Sequence, residues 1–177
     1  HSGDHSIKHL AKGIIDKVRS EFVIDKVSLR PTIKSTKEAY RTIGKDPSRY
    51  RPSAEALTRR IVNGKELYQI NNVVDILNLI SLQSGFSIGG YDMDKIQGEI
   101  AFGIGKKNEP YSAIGRGALN IENLPVFRDN IGAFGSPTSD SLRTMVTDRT
   151  TNFLMVIIDF NSENPLESAL SESVKLY

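Results

Sequence analysis

Asn71-Asn72-Val73-Val74-Asp75-Ile76-Leu77-Asn78-Leu79-Ile80-Ser81-Leu82-Gln83-Ser84 carries apolar residues at 73, 74, 76, 77, 79, 80 and 82. At helical spacing they lie nearly all round, so the segment predicts a buried helix. Asn71, Asp75, Asn78 and Ser81 recur across it at intervals of four, three and three. With about 100° per residue they share an arc of roughly 120°, a polar stripe on a buried element. Such groups cost on the order of several kcal/mol when buried without partners. The stripe is therefore either structural, pinning neighbouring loops, or the wall of a polar pocket. Asp75 suits the first role and Asn78 the second.

After Gly85 the texture changes. Short apolar runs separated by glycine-rich turns predict strands over 87–93, 99–104, 111–115, 124–127 and 153–160. Before residue 71 the pattern is helical. Ile7, Leu10, Ile14, Val18 and Phe22 lie on one face of a helix over 6–22. Ser35-Thr36-Lys37-Glu38 reads as a capping-box start for a second helix ended by Gly44, and Ser53 as the cap of a third that stops at Gly64. Asn164-Pro165 opens a final helix through Leu166, Leu170 and Val174. Helices first and strands after argue for an α+β fold. The whole of 1–177 reads as one domain, with N-terminal helices over 6–44 and a C-terminal helix over 164–177.

A second polar concentration lies in Gly132-Ala133-Phe134-Gly135-Ser136-Pro137-Thr138-Ser139-Asp140-Ser141-Leu142-Arg143. Two glycines and a proline bend the chain, and Ser136, Thr138, Ser139, Asp140 and Ser141 follow within six residues. A turn of this kind can aim several backbone amides at one point, a donor set suited to an anion or a polarised carbonyl. Gly135, Ser136, Thr138, Ser141 and Arg143 are its candidate ligand-binding residues, with Arg116 between Gly115 and Gly117. An ordinary Ser/Thr/Asp-rich loop is the competing reading.

Composition limits the chemistry. The chain has no cysteine, so thiolate metal sites and a thiol nucleophile are excluded and a reducing, cytoplasmic setting is expected. Its three histidines are His1, His5 and His9; beyond them a Ser-His-Asp triad or a histidine base is impossible. Spacing by four mimics a metal site, but no acidic or cysteine partner accompanies them, so no metal and no cofactor are expected. The longest apolar run, Phe153 to Ile158, is far short of a membrane span. Net charge is only +2, yet residues 37–65 hold eight basic residues against three acidic. Lys45, Arg49, Arg51, Arg59, Arg60 and Lys65, with Tyr40 and Tyr50 interleaved, could grip a phosphate backbone or simply form a solvated basic face.

The runs Pro52-Ser53-Ala54-Glu55-Ala56-Leu57-Thr58-Arg59-Arg60, Ile70-Asn71-Asn72-Val73-Val74-Asp75-Ile76-Leu77-Asn78 and Gly90-Tyr91-Asp92-Met93-Asp94-Lys95-Ile96 together resemble the editing domain in the β-subunit of bacterial phenylalanyl-tRNA synthetase. The resemblance spans about 50–160, and Gly135-Ser-Pro-Thr-Ser-Asp-Ser141 looks most like free-standing relatives of that domain. It implies N-terminal helices followed by a β-sandwich of unusual topology, with a site between its halves. It also implies tRNA or aminoacyl-tRNA as partner, with no DNA and no membrane. Two departures stand out. Where the synthetase domain has a histidine and a glutamate in its pocket, this chain has Gly89 and Pro137, while Asn78 is retained after Leu77.

Two functions stay open. One is hydrolysis of the ester of a mischarged aminoacyl-tRNA, with Asn78, Asp140 and Ser139 as candidate catalytic residues and Asn71, Asp75 and Ser81 in the pocket wall. The other is a non-catalytic module binding RNA or a small ligand on the same fold. A purely structural role for stripe and loop is the third possibility. If Asp140 is the base, its pKa depends on whether burial by Phe134 and Leu142 outweighs the adjacent Arg143.

Overall fold

The computed structural model describes residues 2–161 and 166–177, with side chains from Ile7 onward. The expected start of the last helix at 164–165 lies outside the described residues. Among the described residues there are five α-helices: α1 (Ser2–Glu21), α2 (Pro31–Thr42), α3 (Ser53–Val62), α4 (Asn72–Ser84) and α5 (Leu166–Leu176).

The segment 71–84 is a helix with both ends written in its sequence. The Asn71 side-chain oxygen accepts the Val74 amide at 3.0 Å, capping the N-terminus. Gly85 leaves the helix with φ +79°, a conformation that suits glycine. Asp75 accepts the Ile70 amide at 2.9 Å, and Ser81 donates to the Phe86 carbonyl at 2.7 Å. Three of the four polar stripe residues thus hold the chain where it enters and leaves α4. Arg30, buried, donates to the Leu82 and Gln83 carbonyls at 2.9 and 3.0 Å and completes the C-terminal end. Burial lowers its pKa to about 10, which leaves it charged at neutral pH.

Two expected helix starts are corrected. Helix α2 begins at Pro31 rather than at a capping box, because proline at the first position has the right φ and lacks only an amide that would be unpaired. Ser35 and Thr36 therefore lie inside the helix and donate back to the Thr32 carbonyl. In α3 the cap position belongs to Pro52, and the Ser53 amide donates to the Pro137 carbonyl at 2.8 Å. A distant loop, rather than a local hydroxyl, closes this helix.

The described residues also form seven strands: β1 (Ser87–Asp92), β2 (Ala101–Ile104), β3 (Ser112–Ala113), β4 (Gly117–Ala118), β5 (Pro125–Arg128), β6 (Ala133–Gly135) and β7 (Phe153–Ile158). All pairings are antiparallel: β1 with β7, β5 between β2 and β6, and β3 with β4. Strands β4 and β6 were not expected, and β6 runs through the start of the Gly132–Arg143 stretch.

The two faces of β1 have different neighbours, as alternation along a strand requires. Ile88 joins Ile76, Leu77, Ile80, Phe86 and Ala169 in one cluster, so α4 and α5 cover that face. Tyr91 points the other way. Its ring meets Phe134 of β6 edge-on at 5.0 Å and Phe127 of β5 at 6.4 Å between centroids. An aromatic layer therefore joins the β1–β7 ladder to the β2–β5–β6 sheet. Behind α4, Leu79 and Leu82 pack with Ile14, Val18 and Ile61 of α1 and α3. Helices followed by antiparallel sheets make the fold α+β, as expected.

Candidate functional site

Three tyrosine hydroxyls converge on residues 136–141. Tyr91 donates to Asp140 Oδ1 at 2.8 Å, and Tyr111 to the Ser139 carbonyl at 2.7 Å. Tyr40 lies 2.9 Å from Thr138 Oγ1, whose proton goes to the Tyr50 carbonyl at 3.0 Å, so Tyr40 is the donor. Burial pushes the pKa of all three phenols upward, which keeps them protonated and donating.

The loop also bonds to itself. Ser136 Oγ accepts the Thr138 and Ser139 amides at 3.3 and 3.1 Å and donates to the Ser139 carbonyl at 2.8 Å. The Ser141 amide donates to Phe134, and its Oγ accepts the Arg143 amide. The expected outward-facing set of backbone donors is thus turned inward at 138, 139 and 141. Pro137 contributes none, and the Ser136 hydroxyl collects the next two. Ser139 Oγ keeps only a long contact of 3.4 Å to the Ile114 carbonyl.

Two glycines shape the approach to Asp140. A Cβ on Gly89 or on Gly135 would overlap the Tyr91 hydroxyl. The phenol therefore fills the volume beside Gly89, and both backbones come close only because neither residue has a side chain. Tyr91 is fully buried and was not singled out as a site residue. Strand alternation held the signal: Gly89 and Tyr91 are two apart and must share a face.

Asp140 is half-buried, and burial pushes its carboxyl up to about 7 against the opposing pull of the Tyr91 hydroxyl and the Gly90 and Ser136 amides. The open question of Arg143 is decided by direction. Its guanidinium turns to Asp129, with Nη2–Oδ1 2.8 Å and Nη1–Oδ2 3.0 Å, and also donates to the Gly132 and Lys95 carbonyls. Leu142 is 47% exposed, and the buried ring that the structure places against Asp140 is that of Tyr91.

The other expected residues are dispersed. Asn71 and Asp75 line a 630 Å³ cavity between α1 and residues 66–75, away from the loop. Asn78 is half-buried, and its side chain makes no hydrogen bond among the described residues. Its helix reaches β1 through Leu77 against Gly90, whereas Asp140 meets the strand through Tyr91 and the Gly90 amide. Arg116 is exposed in the β3–β4 turn. Lys45 is turned inward: it donates to the Asn120 and Glu122 carbonyls at 2.8 and 2.6 Å and lies 3.7 Å from the Tyr50 ring centre. Arg49 stays exposed. The side chains of His1 and His5 lie outside the description, and among the described residues no cluster of three or more metal-binding side chains occurs. No helix there is long and apolar enough to cross a membrane.

Comparison with known proteins places this geometry. No curated protein matches the chain. Among solved structures, an N-terminal fragment of the phenylalanyl-tRNA synthetase β-subunit from Pyrococcus horikoshii superimposes with a TM-score of 0.50 at 21% identity. The match covers 62% of this chain and 40% of that one, and it is a likeness of fold. The family model of the B3/4 domain matches residues 35–170, from within α2 into α5 and across every strand. The chain therefore belongs to the B3/4 domain family, which is found in the phenylalanyl-tRNA synthetase β-subunit.

Proposed function

We propose that the chain hydrolyses the ester of a mischarged aminoacyl-tRNA, with Asp140 as the base. The observation that carries this reading is a half-buried carboxyl, fixed by the Tyr91 hydroxyl and without a cation beside it among the described residues, which burial pushes up to about 7. A base is most effective when its pKa lies near the working pH. Asp140 takes a proton from a water whose oxygen attacks the ester carbonyl. As the bond to the ribose oxygen breaks, that oxygen receives the proton, giving free amino acid and uncharged tRNA. An aminoacyl ester is already activated, so positioning contributes much of the rate. Ser139, next to Asp140 and with its hydroxyl loosely held, is the side chain available to orient the water or the carbonyl, whereas Asn78 is not brought to Asp140.

The second reading, a binding module without chemistry, is favoured by the inward-facing loop amides and by Pro137, whose carbonyl is occupied by Ser53. Release of amino acid from a panel of mischarged tRNAs separates the two. The wild type releases amino acid, faster as pH rises through about 7, and Asp140→Asn lowers the rate about 10²- to 10⁴-fold. A wild type inactive on every tRNA leaves the binding module. Activity that survives Asp140→Asn keeps the hydrolase and removes its base.

A further inference from the structure

Arg51, Arg59, Arg60 and Lys65 surround a hollow of 230 Å³ on the outer side of α3, with Asn63 and Tyr68 completing its polar and aromatic lining. Among the described residues no carboxylate lines this hollow. The acid these cations do meet, Glu55, lies beneath with its side chain 1% exposed. It is shared by Lys37 at 3.1 Å, Arg59 at 2.9 Å and Arg51 at 3.8 Å. One carboxylate cannot neutralise the five cations in and beneath the hollow.

The helix dipole accounts for part of the cluster. Arg59 and Arg60 occupy the last turn of α3, where positive charge is favourable. It does not account for Arg51 before the helix or Lys65 after it. Four cations held around one concavity repel one another, and an anion in the concavity relieves that repulsion. The Arg60 guanidinium also lies 3.9 Å from the centre of the Tyr68 ring, which is 55% exposed. A large exposed aromatic backed by a cation is a poor use of surface in a fold and a good platform for a flat π-system.

We propose that this hollow binds a backbone phosphate of single-stranded RNA, with the adjoining base stacked on Tyr68. The guanidinium groups match phosphate geometry, and the stacking is tolerant of sequence. The proposal rests on the aminoacyl-tRNA reading for its choice of RNA, since the end of a tRNA that carries the amino acid is single-stranded. It narrows the basic span to α3 and its flanks, and excludes Lys45, which faces inward.

The test is fluorescence anisotropy of a labelled twelve-nucleotide single-stranded RNA over a series of salt concentrations. Arg60→Ala/Lys65→Ala, which leaves the Glu55 ion pairs intact, weakens binding at least tenfold at low salt. It also makes the slope of log affinity against log salt shallower by about 1.4, the value for two lost single-strand contacts. Tyr68→Leu weakens binding about fivefold or more at every salt concentration. Lys106→Ala/Lys107→Ala, an exposed pair in another loop, changes little. Equal losses in the two double variants, or unchanged binding in Arg60→Ala/Lys65→Ala, overturns the proposal. So does a wild type that binds a labelled poly-glutamate peptide more tightly than the RNA. Deacylation is scored separately: hydrolysis without oligonucleotide binding sinks the hollow alone, and binding without hydrolysis sinks the hydrolase alone.

Discussion

Asp129 and Asp140 flank β6 and share most of their chemistry, yet they end at opposite extremes. Both are sheltered and both accept backbone amides. Burial pushes each upward, but at Asp129 the Arg143 guanidinium and the Gln97, Ile131 and Gly132 amides outweigh it and hold the carboxyl at about 2. Asp140 has a phenol and two amides but no cation, and it rises to about 7. Unequal desolvation and the cation together separate them, and sequence distance does not predict which aspartate receives the cation. Arg143 is three residues from Asp140, but the Leu142–Thr144 turn swings it back to Asp129.

The two carboxyls therefore pull stability in opposite directions with pH. Asp140, raised above its ordinary 3.8, contributes stability below that value which is lost as pH rises through about 7. Asp129, depressed, contributes stability above 3.8 which is lost as pH falls toward about 2.

Removing the cation is the strongest way to break this comparison. Arg143→Ala leaves Asp129 buried without its counter-charge, and urea unfolding is expected to show a loss of about 3–5 kcal/mol. Adding Asp129→Asn returns part of that loss. A change below about 1 kcal/mol in the single variant would mean that the amides alone hold Asp129 down, as they fail to do at Asp140.

A smaller effect sharpens the Asp140 side. Gly135→Ala places a methyl group on the Tyr91 hydroxyl and is expected to cost about 1–3 kcal/mol by overpacking. With Tyr91→Phe the nearest atom is gone, although the ring carbons at 2.6 and 2.9 Å still press on the methyl, so the double variant loses somewhat less than the sum of the two singles. Strict additivity in that cycle would show that the phenol is not held against the Gly135 backbone.

What could be read from sequence follows from where each signal is stored. The ends of α4 were legible because Asn71 and Gly85 act on their own neighbours. The strand at 87–92 was legible from its composition and its bounding glycines. The start of α2 was missed because Pro31 outcompetes a plausible capping box four residues later. Strand β6 was missed because Ala133-Phe134-Gly135 has little strand character and is held by pairing with β5. At the site, Asp140 was legible as a carboxylate among hydroxyls. Its partner Tyr91 comes from 49 residues away and the rival acid Asp129 from another turn, so the balance of burial against charge was not legible. The basic span was visible as a count of charges. Which of them face outward depended on the Asn120 and Glu122 carbonyls that hold Lys45.

The central claim is that Asp140 is a carboxyl poised near neutrality. Carbon-detected NMR titration of the aspartate side chains measures this directly, with Asp140→Asn used to assign the resonance. The account predicts a midpoint near 7 for Asp140, with Asp129 still ionised down to about pH 2. An Asp140 midpoint near 4, that of an ordinary exposed aspartate, would contradict it and leave Tyr91 and Asp140 as a structural hydrogen bond alone.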